Sequence, residues 1–323
     1  MKRISAVGII TIIIVVCVVL LCACSGDSNP LDDFRKGITG GAKPSVDVDP
    51  NAPDRDNTPK VMLTEDTGKN TFEGKGTIVD YSNANRGYFM VKYAGDNQKV
   101  KVLVRFGDED PYAYDLQPGG FNSFPLSQGS GNYTIGVYEN IEGERYVPVA
   151  EKTIKASIKD KLMPFLYPNQ YSNFNDKSAC VEKASQICAG AKSDLGATEK
   201  IFLYIVENVS YDFNKAATVQ SGYIPDPDAT LASNLGICFD YASLTTSMLR
   251  SQGIPCQLIV GYAGTAYHAW IAAYSIESGK VANIIQFQAD AFNLMDPTFT
   301  SSGDKADPNM VGDGTSYNPI FYY

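Results

Sequence analysis

The stretch that decides the fold runs from Gly236 to Gly253 and reads GICFDYASLTTSMLRSQG. Cys238 follows the first glycine closely, and about four helical turns of sequence separate it from Gly253, a residue type common just after a helix end. The pattern predicts a helix that begins at Cys238 and ends before Gly253.

A cysteine at the start of a helix has a distinctive environment. The backbone N–H groups there lack intrahelical partners, and the positive end of the helix dipole favours the thiolate over the thiol. The N–H of Cys238 is also placed to donate to an oxyanion that develops on a substrate, and Gly236 would let the backbone approach that substrate closely. Cys238 is therefore a candidate nucleophile.

Two residues later in the sequence are candidates to assist a thiol nucleophile. Strands are predicted over residues 257–262 and 268–274, joined by a turn at 263–265, with a further strand over 281–288. His268 is the only histidine of the sequence, so any imidazole chemistry must use it. A cysteine, a histidine and an aspartate, Asp296, on consecutive elements are the parts of a thiol nucleophile, its base and the group that orients the base.

Three separated motifs occur in order: Gly236-x-Cys238-x-Asp240-Tyr241-Ala242 with Arg250 and Gly253-Ile254-Pro255, then His268-Ala269-Trp270, then Asp296-Pro297-Thr298. In this order they resemble the transglutaminase-like superfamily of cysteine enzymes. The resemblance covers about residues 175–300 and implies an α+β, papain-related fold for the second predicted domain, residues 159–323. It also implies that Cys238 is the nucleophile, His268 the general base and acid, and Asp296 the residue that orients the imidazole.

Some assignments stay open in the sequence. His268 and Asp296 are 28 positions apart, which requires an insertion around residues 281–290 and leaves Asp290 as an alternative orienting group. Tyr211 is a candidate second oxyanion donor or a packing residue. Trp270, the only tryptophan, lines a substrate groove or packs in the core.

The resemblance implies acyl transfer through a thioester on Cys238. Hydrolysis of a protein or peptide, and thus a protease or amidohydrolase, is the preferred interpretation, with a substrate outside the cell such as one associated with the cell wall. The alternatives are a protein cross-linking transglutaminase and a non-catalytic surface-binding lipoprotein.

The N-terminus indicates export. Lys2 and Arg3 precede an apolar run from Ile9 to Leu21 that ends at Leu21-Cys22-Ala23-Cys24-Ser25. This pattern is typical of a secretory signal over residues 1–24 and resembles a bacterial lipobox, with Cys24 as the lipidated residue. The chain is then held by lipid on the extracytoplasmic face of the cell membrane; a transmembrane anchor is the alternative.

Residues 25–70 are poor in large apolar side chains and predict a flexible linker, with an ordered N-terminal arm as the alternative. About seven short strands are predicted over residues 71–158, among them 88–93, 99–106 and 133–138. Their number and spacing indicate an all-β sandwich of immunoglobulin or fibronectin type. It would serve as a spacer or as a binding surface.

Composition excludes several classes of function. The chain has 323 residues, of which 44% are hydrophobic and 20% charged, and its net charge of -9 argues against a nucleic-acid partner. One histidine and no zinc-type cysteine spacing argue against a metal site, and no cofactor is predicted.

Helices are predicted over 180–191 and 198–208, with Thr198 as a cap. Cys180 and Cys188 then lie too far apart for a disulfide, whereas pairing of either with Cys256 is left open.

Overall fold

A computed structural model describes residues 10–11, 52–117, 119–282, 285–301 and 314–323. The described residues fall into two compact units, one formed by 10–11 and 64–164 and the other by the remainder. The predicted signal segment apart from residues 10–11, the lipidated Cys24 and the first part of the predicted linker lie outside the described residues.

The first unit consists of antiparallel strands. They are β1 (Ile10–Thr11), β2 (Thr71–Gly74), β3 (Thr77–Asp80), β4 (Tyr88–Tyr93), β5 (Val100–Phe106), β6 (Tyr112–Asp115), β7 (Asn122–Pro125), β8 (Gly131–Glu142) and β9 (Arg145–Ala156). Two sheets result, in the orders β1-β9-β8-β5-β6 and β2-β3-β4-β7. The ring centroids of Tyr114, from the first sheet, and Phe124, from the second, are 5.0 Å apart, so the apolar faces of the two sheets meet. The immunoglobulin or fibronectin assignment stays a prediction.

The second unit contains all the described α-helices. They are α1 (Ala179–Cys188), α2 (Asp194–Asn208), α3 (Phe213–Thr218), α4 (Pro227–Ser233), α5 (Cys238–Ser251) and α6 (Pro297–Ser301). The predicted cap at Thr198 is wrong: α2 begins four residues earlier because the hydroxyl of Ser193 accepts from the N–H of Gly196. Thr198 lies inside the helix and donates its hydroxyl to the carbonyl of Asp194.

Helix α5 is the central element of this unit and is buried from Asp240 to Ser251. It begins at Cys238 as predicted, and Gly253 follows its end with a φ of +74°, a conformation that favours glycine. The buried guanidinium of Arg250 donates to the backbone oxygens of Tyr167, Cys256 and Tyr323. These bonds fix the end of α5 against its neighbours.

The strands of the second unit are β10 (Ser210–Tyr211), β11 (Leu235–Gly236), β12 (Cys256–Ala263), β13 (Ala266–Ser275), β14 (Gly279–Val281), β15 (Ile285–Phe287), β16 (Ala291–Met295) and β17 (Tyr317–Tyr322). Four of them form an antiparallel sheet in the order β16-β13-β12-β17, while β10 pairs with β11 and β14 with β15. The single strand predicted over 281–288 is wrong. Ala282 turns the chain with a φ of +53° and donates its N–H to the carboxylate of Glu199, so a hairpin forms instead.

The end of the predicted linker is ordered against the second unit, which matches the alternative of an N-terminal arm. Arg55 donates its guanidinium to the Asp194 carboxylate and to the carbonyl of Gln252, and its backbone N–H to the carbonyl of Ala191. Lys60 donates its N–H to the carbonyl of Ser251 at 2.7 Å. The linker prediction is therefore corrected over these residues.

In the part of the chain that the structure describes, no helix is long and apolar enough to cross a membrane. No group of three or more His, Cys, Asp and Glu side chains is placed there to hold a metal ion.

Candidate active site

Cys238 is the first residue of α5, and its side chain is partly exposed. Cys180, Cys188 and Cys256 are buried, and all four of these described cysteines are free thiols. Burial raises the pKa of Cys188 and of Cys256 to about 11 and that of Cys180 further still. Cys238 is thus the accessible thiol among these four.

The turn before Cys238 is held by a side chain of the same helix. The carboxylate of Asp240 accepts from the backbone N–H of Ile237 at 2.8 Å. A Cβ atom at position 236 would lie 2.6 Å from the Cβ of Asp240, which explains the glycine there. The close approach that Gly236 permits is therefore between its own backbone and the side chain of Asp240.

His268 lies on β13 and is bonded to Asp296. Its Nε2 is 2.7 Å from Oδ2 of Asp296, and both side chains are buried. Asp290, the alternative orienting group, is exposed at the surface and 3.5 Å from the hydroxyl of Tyr274. The structure therefore pairs His268 with Asp296.

The Asp-Pro-Thr motif has a local structural cause. Asp296 stands immediately before α6, where its Oδ1 accepts from the N–H of Phe299 at 3.0 Å and its carbonyl accepts from the N–H of Thr300. Pro297 suits the first helical position because it has no N–H to leave unpaired. This cap leaves Oδ2 of Asp296 for the imidazole.

Aromatic side chains enclose the imidazole. The ring of Phe299 stacks on that of His268 at 4.3 Å, with 14° between their planes. Trp270 is 1% exposed and packs edge-on against Tyr317 at 4.9 Å. The substrate-groove role for Trp270 is therefore wrong, because a side chain so deeply buried has no surface to offer a ligand.

The electrostatics favour a protonated imidazole. Burial by itself lowers the pKa of His268, but the charge and hydrogen bond of Asp296, with a hydrogen bond to Cys238, outweigh burial and raise the pKa to about 10. Because Nε2 faces Asp296, Nδ1 is the ring nitrogen left for the thiol of Cys238. This arrangement stabilises an imidazolium beside the sulfur of Cys238.

Tyr211 lies on β10, which runs parallel to β11 and places Tyr211 opposite Gly236. Burial first, and the Cys238 thiolate second, raise the pKa of the Tyr211 hydroxyl. The hydroxyl therefore stays protonated and can donate a hydrogen bond. Its ring packs against the half-exposed Phe213 at 5.0 Å.

Sequence reasoning missed several residues of the site. Tyr317 on β17 donates its hydroxyl to Oδ2 of Asp296 at 2.7 Å. Lys215 and Tyr223 donate to the Asp240 carboxylate, and Phe299 stacks on the imidazole. No motif marks these positions, since each reaches the site through tertiary packing.

Part of the second unit is similar to known proteins. Residues 181–288 match the family model described as the transglutaminase-like superfamily. A UPF0252 protein from Methanocaldococcus jannaschii is 31% identical over 106 residues, which is 28% of this chain and 30% of that protein. The match thus spans less than a third of the curated relative.

Solved structures also show similarity. A proposed cysteine protease from Cytophaga hutchinsonii has a TM-score of 0.34 and 16% identity, covering 67% of this chain and 86% of that one. A proposed protease from Parabacteroides distasonis has a TM-score of 0.26 and 15% identity, covering 61% and 60%. Red sea bream transglutaminase has a TM-score of 0.29 and 11% identity, covering 68% and 49%.

Proposed function

We propose, on the premise that residues 181–288 belong to the transglutaminase-like superfamily, that this chain is a cysteine protease or amidohydrolase acting on a protein or peptide. The observation that carries the proposal is the buried pair of His268 and Asp296 coupled to the partly exposed Cys238. A nucleophile, its base and an orienting carboxylate in contact are the arrangement that thiol acyl transfer requires.

The reaction begins with attack of the Cys238 thiolate on the carbonyl carbon of an amide. The carbonyl electrons move to oxygen, and the backbone N–H of Cys238 and the hydroxyl of Tyr211 are the donors proposed to stabilise that oxyanion. The tetrahedral intermediate collapses with cleavage of the C–N bond. The His268 imidazolium transfers its proton to the departing amine, which leaves a thioester on Cys238.

Water completes the cycle. Neutral His268 removes a proton from water as the water oxygen attacks the thioester carbonyl, and the C–S bond then breaks. The carboxylic acid departs, and the thiolate and imidazolium return. Throughout the cycle Asp296 fixes the ring orientation and stabilises the imidazolium.

The activity test uses casein and a fluorescent primary amine with the full-length protein. We expect new casein N-termini, detected by mass spectrometry, in the wild type and none in Cys238→Ala. Incorporation of the amine into casein without cleavage would identify a cross-linking transglutaminase instead. Failure of both reactions on casein and on a broad peptide library would favour the non-catalytic binding protein.

The proposed location is the extracytoplasmic face of the membrane, with lipid on Cys24. The support is the basic start, the apolar run and the Leu21-Cys22-Ala23-Cys24 pattern of the sequence. Metabolic labelling with a radioactive fatty acid should mark the wild type and not Cys24→Ala. A label that persists in this variant would contradict the lipid site.

A further inference from the structure

The carboxylate of Asp240 is fully buried only two residues after Cys238 and receives three donors. Its Oδ2 accepts from the N–H of Ile237 and from the ammonium of Lys215 at 2.9 Å. Its Oδ1 accepts from the hydroxyl of Tyr223. A negative charge is thus enclosed at the first turn of the helix that begins with the candidate nucleophile.

An uncompensated charge two residues away on the same helix would oppose the formation of a thiolate at Cys238, since like charges repel one another. The Lys215 ammonium counters it directly. Lys215 also donates to the hydroxyl of Tyr223 at 3.0 Å, so the three side chains form a closed ring of contacts. Its side chain is 32% exposed, and the ring of contacts is therefore only partly open to solvent.

We propose that Lys215 and Tyr223 are positioning residues that neutralise Asp240 and fix the turn at Gly236 and Ile237, so that Cys238 can ionise at the start of α5. Lys215 reaches the carboxylate from α3, which Asp212 caps by accepting from the backbone N–H of Lys215. Burial would lower the pKa of Lys215, but its bonds to Tyr223 and Asp240 raise it. The ammonium therefore persists through the neutral range.

The inference rests on the proposed role of Cys238 as nucleophile. The ionisable groups coupled directly to this thiol are His268 and Tyr211. Tyr211 in turn lies near Asp212, Asp240 and Tyr241, Asp296 pairs with His268, and Lys215 and Tyr223 contact Asp240. Lys215 is the cation that contacts Asp240 directly.

The test measures the rate of iodoacetamide alkylation at Cys238 by mass spectrometry as a function of pH, on the full-length chain. We expect Lys215→Met to shift the profile to higher pH and to slow alkylation about tenfold at about pH 6, as a change of about one pKa unit requires. Lys215→Arg keeps the charge and should stay within about threefold of the wild type. Lys192→Met removes a lysine that pairs with Asp54 instead, and it should leave the profile unchanged.

A double-mutant cycle isolates the charge effect. In Asp240→Asn the amide oxygen can still accept from Ile237, but no charge remains for Lys215 to neutralise. The effect of Lys215→Met should then fall below about threefold. An equal effect in both backgrounds would contradict neutralisation of Asp240.

Tyr223→Phe provides a second variant if Lys215→Met fails to fold. Loss of its hydroxyl removes one donor to Asp240, so we expect alkylation to slow by about threefold at about pH 6. A wild-type profile in every correctly folded variant at both positions would overturn the inference and leave the proposed function intact. A wild-type Cys238 no more reactive than the buried cysteines would instead overturn the proposed function.

Discussion

His268 and Tyr317 donate to the same oxygen, Oδ2 of Asp296, each at 2.7 Å. The histidine lies on β13 and the tyrosine on β17, at opposite sides of the intervening strand β12. Together with the cap at α6, these donors hold the carboxylate in one orientation. Tyr317 is thus positioned to orient Asp296, and Asp296 in turn orients His268.

Removal of the Tyr317 hydroxyl tests this relationship. Tyr317→Phe should lower the free energy of unfolding by about 2 kcal/mol, because a buried hydrogen bond to a charged group is lost. Urea denaturation measures the change. Tyr262→Phe is the control, since Tyr262 on β12 lies on the sheet face opposite His268 and should lose less than about 0.5 kcal/mol. Equal losses in the two variants would contradict the role of Tyr317.

The single histidine makes its titration directly observable by NMR. We expect His268 in the wild type to stay protonated from neutral pH up to about 10. In Asp296→Asn, the pKa of His268 should fall towards its ordinary value of 6.5. Asp290→Asn, which alters an exposed carboxylate, should leave the titration unchanged. An unshifted His268 in Asp296→Asn would show that this carboxylate does not hold the imidazolium.

The same pKa shift predicts a pH dependence of stability. A histidine whose pKa is higher in the folded than in the unfolded state stabilises the fold fully below about 6.5, and that stabilisation is lost as pH rises through about 10. Loss of the pair should cost about 3 kcal/mol near neutral pH. The difference in unfolding free energy between wild type and Asp296→Asn should therefore shrink from pH about 7 to about 10. A constant difference over this range would contradict the account.

Gly236→Ala tests the packing of the turn before the nucleophile. The added Cβ would lie 2.6 Å from that of Asp240, so we expect a loss of about 2 kcal/mol in unfolding free energy and slower alkylation of Cys238. Gly196→Ala is the matched control in α2, where the new Cβ meets only Ser193 Oγ at 3.6 Å. It should be neutral or stabilising by up to about 1 kcal/mol. A neutral Gly236→Ala would show that the turn is not closely packed.

Arg55→Ala tests the ordered arm. This side chain is 8% exposed and donates to Asp194 and Gln252, so its loss should lower the free energy of unfolding by about 1 to 2 kcal/mol. Arg145→Ala removes an exposed pair with Glu142 and should change stability by less than about 0.5 kcal/mol. Proteolysis near residue 55 should also accelerate in Arg55→Ala. An unchanged free energy of unfolding and an unchanged rate of cleavage would show that these residues belong to a flexible linker.

The helix at Cys238 and the strand at His268 were predictable because each depends on local sequence. Gly236, Cys238 and Gly253 mark the bounds of α5, and the alternation around residues 257–274 marks a hairpin. The Pro-Thr that follows Asp296, part of the motif that the sequence resembles, favoured Asp296 over Asp290, and the structure shows that Asp296 caps α6.

The remainder depends on long-range contacts that carry no local pattern. Tyr317 comes from the far edge of the sheet, and Arg55 belongs to a polar stretch that resembles a linker until its partners Asp194 and Gln252 are known. The hairpin that replaces the strand over 281–288 depends on Glu199, which accepts from Ala282 across the fold. Burial of Trp270 likewise follows from the sheet and not from its neighbours in sequence.

The most direct test of the central claim is the rate of iodoacetamide alkylation at each cysteine, measured by mass spectrometry on the wild type and on His268→Ala. At about pH 6, below the ordinary cysteine pKa of about 8.5, Cys238 should react at least about tenfold faster than Cys180, Cys188 or Cys256, and His268→Ala should abolish that advantage. Equal rates at all four thiols, or a rate at Cys238 that is unchanged in His268→Ala, would contradict a nucleophile activated by His268.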